Sequence, residues 1–156
     1  MDHHTRDLCV AGVIAALYAG LTLALSAISF GPVQFRVAEA MTLLPAICAP
    51  AMPGLIIGCF VANLLGGAPA VDVIFGTLAT ALACLGVRKA PGNLWMKALW
   101  PVLCNGVIVG LVLTFGYGIP TWGLNMLSVA AGEAVVCYVL GVPLTLGLKK
   151  SGIMGE

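Results

Sequence analysis

Residues 8–28 form one apolar run of the length, roughly 20 residues, that a bilayer core requires of a helix. Such a run must satisfy its backbone polar groups within its own helix while its side chains meet lipid, which leaves few folds open. The chain repeats the pattern. Apolar stretches recur at 36–50, 54–65, 71–87, 98–115 and 124–148, and the second and third are short. Between them lie the Gly66-Gly67-Ala68-Pro69 break, a basic loop with Arg88, Lys89, Pro91, Gly92, Asn93 and Lys97, and a turn over 117–123. Only 8% of the residues are charged, against roughly 25% in soluble domains. Mean hydropathy is +1.10. This excludes a soluble enzyme, and a net charge of +1 gives no sign of nucleic-acid binding. The expected fold is an all-α integral membrane protein, with residues 1–156 as a single transmembrane domain.

Residues 36–69 hold either one membrane pass or two. Pro45, Pro50 and Pro53 cannot continue a helix ladder, so a reversal is expected over 48–54. The distribution of basic residues favours two passes. With six transmembrane helices and both N- and C-termini cytoplasmic, Arg6, the Arg88/Lys89/Lys97 loop and Lys149/Lys150 all fall inside. A single pass would place the strongest basic loop outside. A cleaved signal peptide is disfavoured, because Asp2 and Asp7 make a poor leader and the apolar run exceeds one.

This topology gathers the polar membrane residues in the outer half. Gln34, Arg36 and Glu39 fall at the outer start of the second helix, Asn63 near the outer end of the third, and Asp72 and Asn125 at the outer starts of the fourth and sixth. Arg36 and Glu39, three residues apart, share a face of any helix that begins near Phe35. Glu133 lies about 13 Å down the sixth helix, just outside the midplane. Asn105 lies deeper and has no assigned role. Two readings stand for these groups. In one, Arg36 pairs with Glu39 or Asp72 to lock the loop, Asp72 caps its helix, and a protonated Glu133 bonds a neighbouring helix. In the other, intramembrane carboxyls mark a site. Carboxylates in excess over Arg, with amides nearby, suit a cation or a hydrogen-bond donor such as the amidine-like edge of a guanine-type ring. Phe30, Phe35, Tyr117 and Trp122 share the outer level, either stacking on a flat ligand or forming an interfacial belt.

Catalysis has no residue set. His3 and His4 lie in a polar terminus, only one Asp is within the membrane, and no phosphate-binding loop powers the chain with ATP. No catalytic residue, metal or cofactor is assigned. Cys9, Cys48, Cys59, Cys84, Cys104 and Cys137 show no C-x-x-C spacing and are expected to be small buried hydrophobes. Ala11, Ala15 and Ala19, with Gly12, Ala16 and Gly20 beside them, leave a smooth face on the first helix. Packing within the bundle and docking of another helix are equally open uses.

The run over 28–45, Ile-Ser-Phe-Gly-Pro-Val-Gln-Phe-Arg-Val-Ala-Glu-Ala-Met-Thr-Leu-Leu-Pro, resembles the signature of the QueT family. So do the Asp72–Thr80 segment and, more weakly, Gly58 with Asn63-Leu64; the similarity runs from about Val10 to Leu148. Members are substrate-binding S components of energy-coupling factor (ECF) transporters, associated with uptake of queuosine precursors. The resemblance implies an S-component-like bundle of six helices with an outward-facing site under the loop between helices one and two. It implies 7-deazaguanine-type ligands such as 7-aminomethyl-7-deazaguanine or queuine. It also implies partners, namely a transmembrane coupling subunit docking on the Ala11, Ala15 and Ala19 pattern, and two ATPase subunits. On chemical grounds Glu39 and Glu133 would then take the ring's donor edge or an aminomethyl cation. Asp72 and Asn63 would orient it, and Gln34 and Arg36 would close the loop. The rival readings are an S component for another small vitamin, a stand-alone proton-coupled transporter using Glu133, and a membrane-embedded enzyme.

Overall fold

The structure, a computed structural model, describes residues 2–29 and 35–152. Every regular element among them is helical: α1 (His3–Ala24), α2 (Ser26–Ser29), a 3₁₀ helix (Val37–Ala46), α3 (Ala51–Leu65), α4 (Ala70–Lys89), α5 (Leu94–Lys97), α6 (Leu99–Phe115), α7 (Trp122–Val135), a π-helical turn (Val136–Gly141) and α8 (Val142–Ser151). Four rods are long and apolar enough to cross a bilayer: His3–Ala24, Ala70–Lys89, Leu94–Phe115 and Trp122–Ser151. Val37–Ala46 and Ala51–Leu65 are shorter. The first span begins earlier than its apolar run, because the helix continues through Arg6 and Asp7, and it ends at Ala24 rather than at residue 28.

The inside–outside pattern is inverted relative to a soluble protein. Leu17, Ile57, Leu64, Ile74, Leu103, Leu127 and Val139 point outward, while Arg36, Glu39, Asn63, Asp72, Asn105, Asn125 and Glu133 are buried. An apolar surface this extensive is stable only against lipid.

The 3₁₀ helix is the axis of the bundle. From Ala38 to Pro45 every residue is buried, as expected of a helix that is apolar all round except at Glu39 and Thr42. Ten residues in this form rise about 20 Å, roughly 5 Å more than the same residues in an α-helix, and 3₁₀ runs beyond three or four residues are uncommon. Met41 and Leu44 pack toward Ile14, Tyr18, Leu55 and Cys59 of α1 and α3. Leu43 packs toward Val87, Ala98, Cys137 and Val142. A third core, Ala79, Val109, Leu113 and Val129, joins α4, α6 and α7.

Close backbone approaches set the two seams that matter for the site. A Cβ on Gly54 would lie 2.5 Å from the Ala11 carbonyl oxygen, and one on Gly58 would lie 2.8 Å from that of Ala15. The α1 small-residue ridge is therefore occupied within the bundle at Ala11 and Ala15, and Ala19 is buried as well. The neighbouring Gly12, Ala16 and Gly20 are exposed. On the opposite side of the axis, a Cβ on Gly141 would lie 2.9 Å from the Ala40 carbonyl oxygen, so only glycine lets the π-helical turn press onto the 3₁₀ helix.

Candidate functional site

The 3₁₀ helix and the α7–π junction each contribute one acid to the same space. Glu39 sits on the third residue of the former, and Glu133 lies eleven residues beyond the start of α7 at Trp122. That is about 16 Å into the rod at 1.5 Å per residue. Arg36, Glu39, Asn105, Val109, Val129 and Glu133 line a small interior cavity of about 10 Å³, room for roughly one water. Arg36 acts electrostatically on both acids, and the Asn105 side chain faces both carboxyls. The sequence shows no basic group near Glu133; folding brings one from 97 positions away.

Each acid is held in place by a neighbour. The Tyr18 hydroxyl, fully buried on α1, donates to Glu39 Oε1. The Thr42 hydroxyl donates to the Glu39 carbonyl oxygen at 2.6 Å. The Cys137 thiol lies 3.5 Å from Glu133 Oε1 and 3.9 Å from the Glu39 carbonyl oxygen, tying the π-helical turn to the 3₁₀ helix. A buried carboxyl without such partners would be costly, so these bonds fix the geometry as well as lowering that cost.

A second polar group adjoins the first through Arg36. Its Nη1 donates to Cys59 Sγ at 3.8 Å, and the same sulfur receives Asn63 Nδ2 at 3.6 Å and the Thr80 hydroxyl at 3.3 Å. Asn63 Nδ2 and Asp72 Oδ1 crowd the same side of Gly76. Asn63 Oδ1 and Asp72 Oδ1 are buried and have no hydrogen-bond partner among the described residues. Asp72 does not cap α4, whose N-cap is Pro69; its Oδ2 instead accepts from the Tyr117 hydroxyl at 3.1 Å. Burial and the Asp72 charge push that phenol up to about 12, so it remains a donor at any ordinary pH.

Of the residues singled out in the sequence, Arg36, Glu39 and Glu133 share the cavity, and Asn63 and Asp72 adjoin it. Asn125 lies elsewhere. Its Nδ2 donates to Thr114 Oγ1 at 3.0 Å and to the Ile119 carbonyl oxygen at 3.1 Å, bracing the α6–α7 turn. Gln34 and Phe30 fall outside the described residues. Trp122 is 63% exposed and Tyr117 41%, while Phe35 is half-buried. Sequence reasoning missed Tyr18 and left Asn105 without a role. Tyr18 carries the only hydroxyl-bearing ring within the first apolar run, a usable signal; Asn105 required the rotation of α6 about its axis. All six cysteines are free, but only Cys59, Cys84 and Cys137 are buried as expected; Cys48 and Cys104 are half-buried, Cys9 on the outer face of α1 is exposed, and Cys59 and Cys137 also contact polar groups of the site.

A lipid-facing helical bundle enclosing paired carboxyls defines a multi-pass membrane protein with an ionisable chamber in its interior. A family model described as "QueT transporter" matches residues 8–150, nearly the whole chain. The chain belongs to the QueT transporter family, and its apolar helices make it a multi-pass membrane protein. It is 41% identical over 78 residues to the "Queuosine precursor transporter QueT" of Lactococcus lactis subsp. cremoris (strain MG1363). That alignment covers 49% of this chain and 46% of the relative, so the match extends over about half the length of each. No solved structure matches the chain.

Proposed function

We propose that this chain is the substrate-binding membrane subunit of an ECF-type importer that takes up queuosine precursors of the 7-deazaguanine class. The observation that carries the reading is the convergence of Glu39 and Glu133, with Asn105 between them and Arg36 beside them, on one interior cavity. A guanine-type ring presents parallel N–H donors on one edge, and an ionised carboxylate accepts two such bonds side by side. Its ring carbonyl needs a donor, which Asn105 or Arg36 supplies. The second acid and the open acceptor oxygens of Asn63 and Asp72 suit an exocyclic aminomethyl cation. The relative's name supports the ligand class.

In this reading the chain makes six passes with both termini cytoplasmic, and the chamber opens outward. A coupling subunit docks on α1. Because Ala11 and Ala15 are engaged by α3, the docking stripe centres on exposed Gly12, Ala16 and Gly20, with the alanines along its edge. Two partner ATPases supply the energy.

Calorimetric titration of the purified chain with 7-aminomethyl-7-deazaguanine, queuine, guanine and a panel of vitamins tests the proposal. Saturable binding confined to deazaguanines supports it. A different vitamin binding in their place would assign another ligand to the same scaffold. Uptake by the chain alone in liposomes, without ATPases, would overturn the coupled mechanism.

A further inference from the structure

At the basic end of the bundle, away from the chamber, the link between the 3₁₀ helix and α3 meets α5 and α8. Ala46, Ile47, Gly92, Asn93, Leu94, Lys97, Thr145, Leu146 and Lys149 line a cavity there of about 280 Å³. Lys97 and Lys149, from elements 52 residues apart in sequence, both line it, and no carboxylate does among the described residues. Asn93 accepts the Met96 backbone N–H at 3.0 Å with its Oδ1, so its amide NH₂ is not used in that cap.

The second observation is a hydroxyl. Thr22, Thr77, Thr80 and Thr114 each donate to the carbonyl four residues earlier in their helices. That is the usual way a membrane helix satisfies a threonine. Thr145 does not. It is fully buried, and its Oγ1 has no hydrogen-bond partner among the described residues. The residue four positions before it is Gly141, the last of the π-helical turn, where the regular ladder is broken. Thr145 is closed to solvent in the wall of a cavity that Lys97 and Lys149 also line, so its spare donor meets an outside acceptor only when a bound group seats against that wall.

We propose that this cavity binds a phosphate-bearing anion, with Lys97 and Lys149 neutralising its charge, Thr145 and Asn93 donating to its oxygens, and Ala46, Ile47, Leu94 and Leu146 contacting its apolar part. A lipid headgroup and a free phosphate share this chemistry. The mouth lies among the basic loops, the side on which anionic lipids gather and where basic pockets between helices take their headgroups. The site is independent of the transported ligand.

Thermal unfolding of the full chain in mild detergent, titrated with dioleoyl-phosphatidylglycerol, dioleoyl-phosphatidylcholine or inorganic phosphate, tests it. Phosphatidylglycerol should raise Tm saturably and phosphatidylcholine should not. Lys97→Gln with Lys149→Gln should raise the half-saturating lipid concentration about tenfold or more. Thr145→Val should weaken the lipid response several-fold while leaving Tm without lipid unchanged or higher, because it removes an unsatisfied buried hydroxyl. That opposite movement separates a ligand contact from a packing role. Arg88→Gln with Lys89→Gln, charges of the same end outside the cavity, should leave the response in place. A response to inorganic phosphate alone, with the same dependence on Lys97, Lys149 and Thr145, supports the site and identifies its occupant as free phosphate. Equal responses to the two lipids, or equal loss in the Arg88/Lys89 variant, would overturn the proposal.

Discussion

Two polar clusters in this bundle differ in charge and in organisation. Around Asn125, the amide, Thr114, Thr121 and the Ile119 carbonyl satisfy one another with bonds of 3.0–3.4 Å. Around Glu39 and Glu133, acids from separate elements face each other across a cavity, anchored from behind by Tyr18, Thr42 and Cys137. The first cluster closes on itself and braces a turn. The second points its charge inward at space. Polarity alone therefore does not mark a site in a membrane bundle; what marks it is polarity whose bonding capacity is directed toward a cavity.

Substitutions should divide along that line. Glu133→Gln keeps the shape of the side chain and removes its charge, and it should weaken deazaguanine binding by about 1.5–3 kcal/mol in a calorimetric titration. Tyr18→Phe leaves Glu39 without its anchoring donor and should cost about 1 kcal/mol of affinity, with the folded helix content by circular dichroism unchanged. Asn125→Ala should do the reverse. It should lower thermal stability by about 1 kcal/mol and alter affinity by less than about 0.5 kcal/mol. A large affinity loss in Asn125→Ala would erase the distinction between the clusters.

The long spans were legible because length and hydropathy act locally, and the basic loops and Pro cluster separated the short ones. The acids of the site were legible too, since a carboxyl inside an apolar run has few uses. Backbone departures were not. Nothing in Val37–Ala46 signals a 3₁₀ helix, and nothing in Val136–Gly141 signals a π-helical turn. The two meet where Gly141 presses on Ala40, a contact between residues about 100 positions apart. The same limit applied to Asn105 and Asn125. Depth along a helix follows from counting residues, but the direction a side chain faces follows from packing. The α1 ridge shows this most plainly, because Ala11 and Ala15 turn toward α3 while Gly12, Ala16 and Gly20 remain outside.

A double-mutant cycle of Glu39→Gln and Glu133→Gln, read by calorimetry with 7-aminomethyl-7-deazaguanine, asks most directly whether both acids grip one molecule. Losses that fail to add, with a coupling of about 1 kcal/mol or more, are the expected result. Losses that add within about 0.3–0.5 kcal/mol would show the acids acting independently and contradict a shared grip, and no loss from either change would place the ligand outside the chamber.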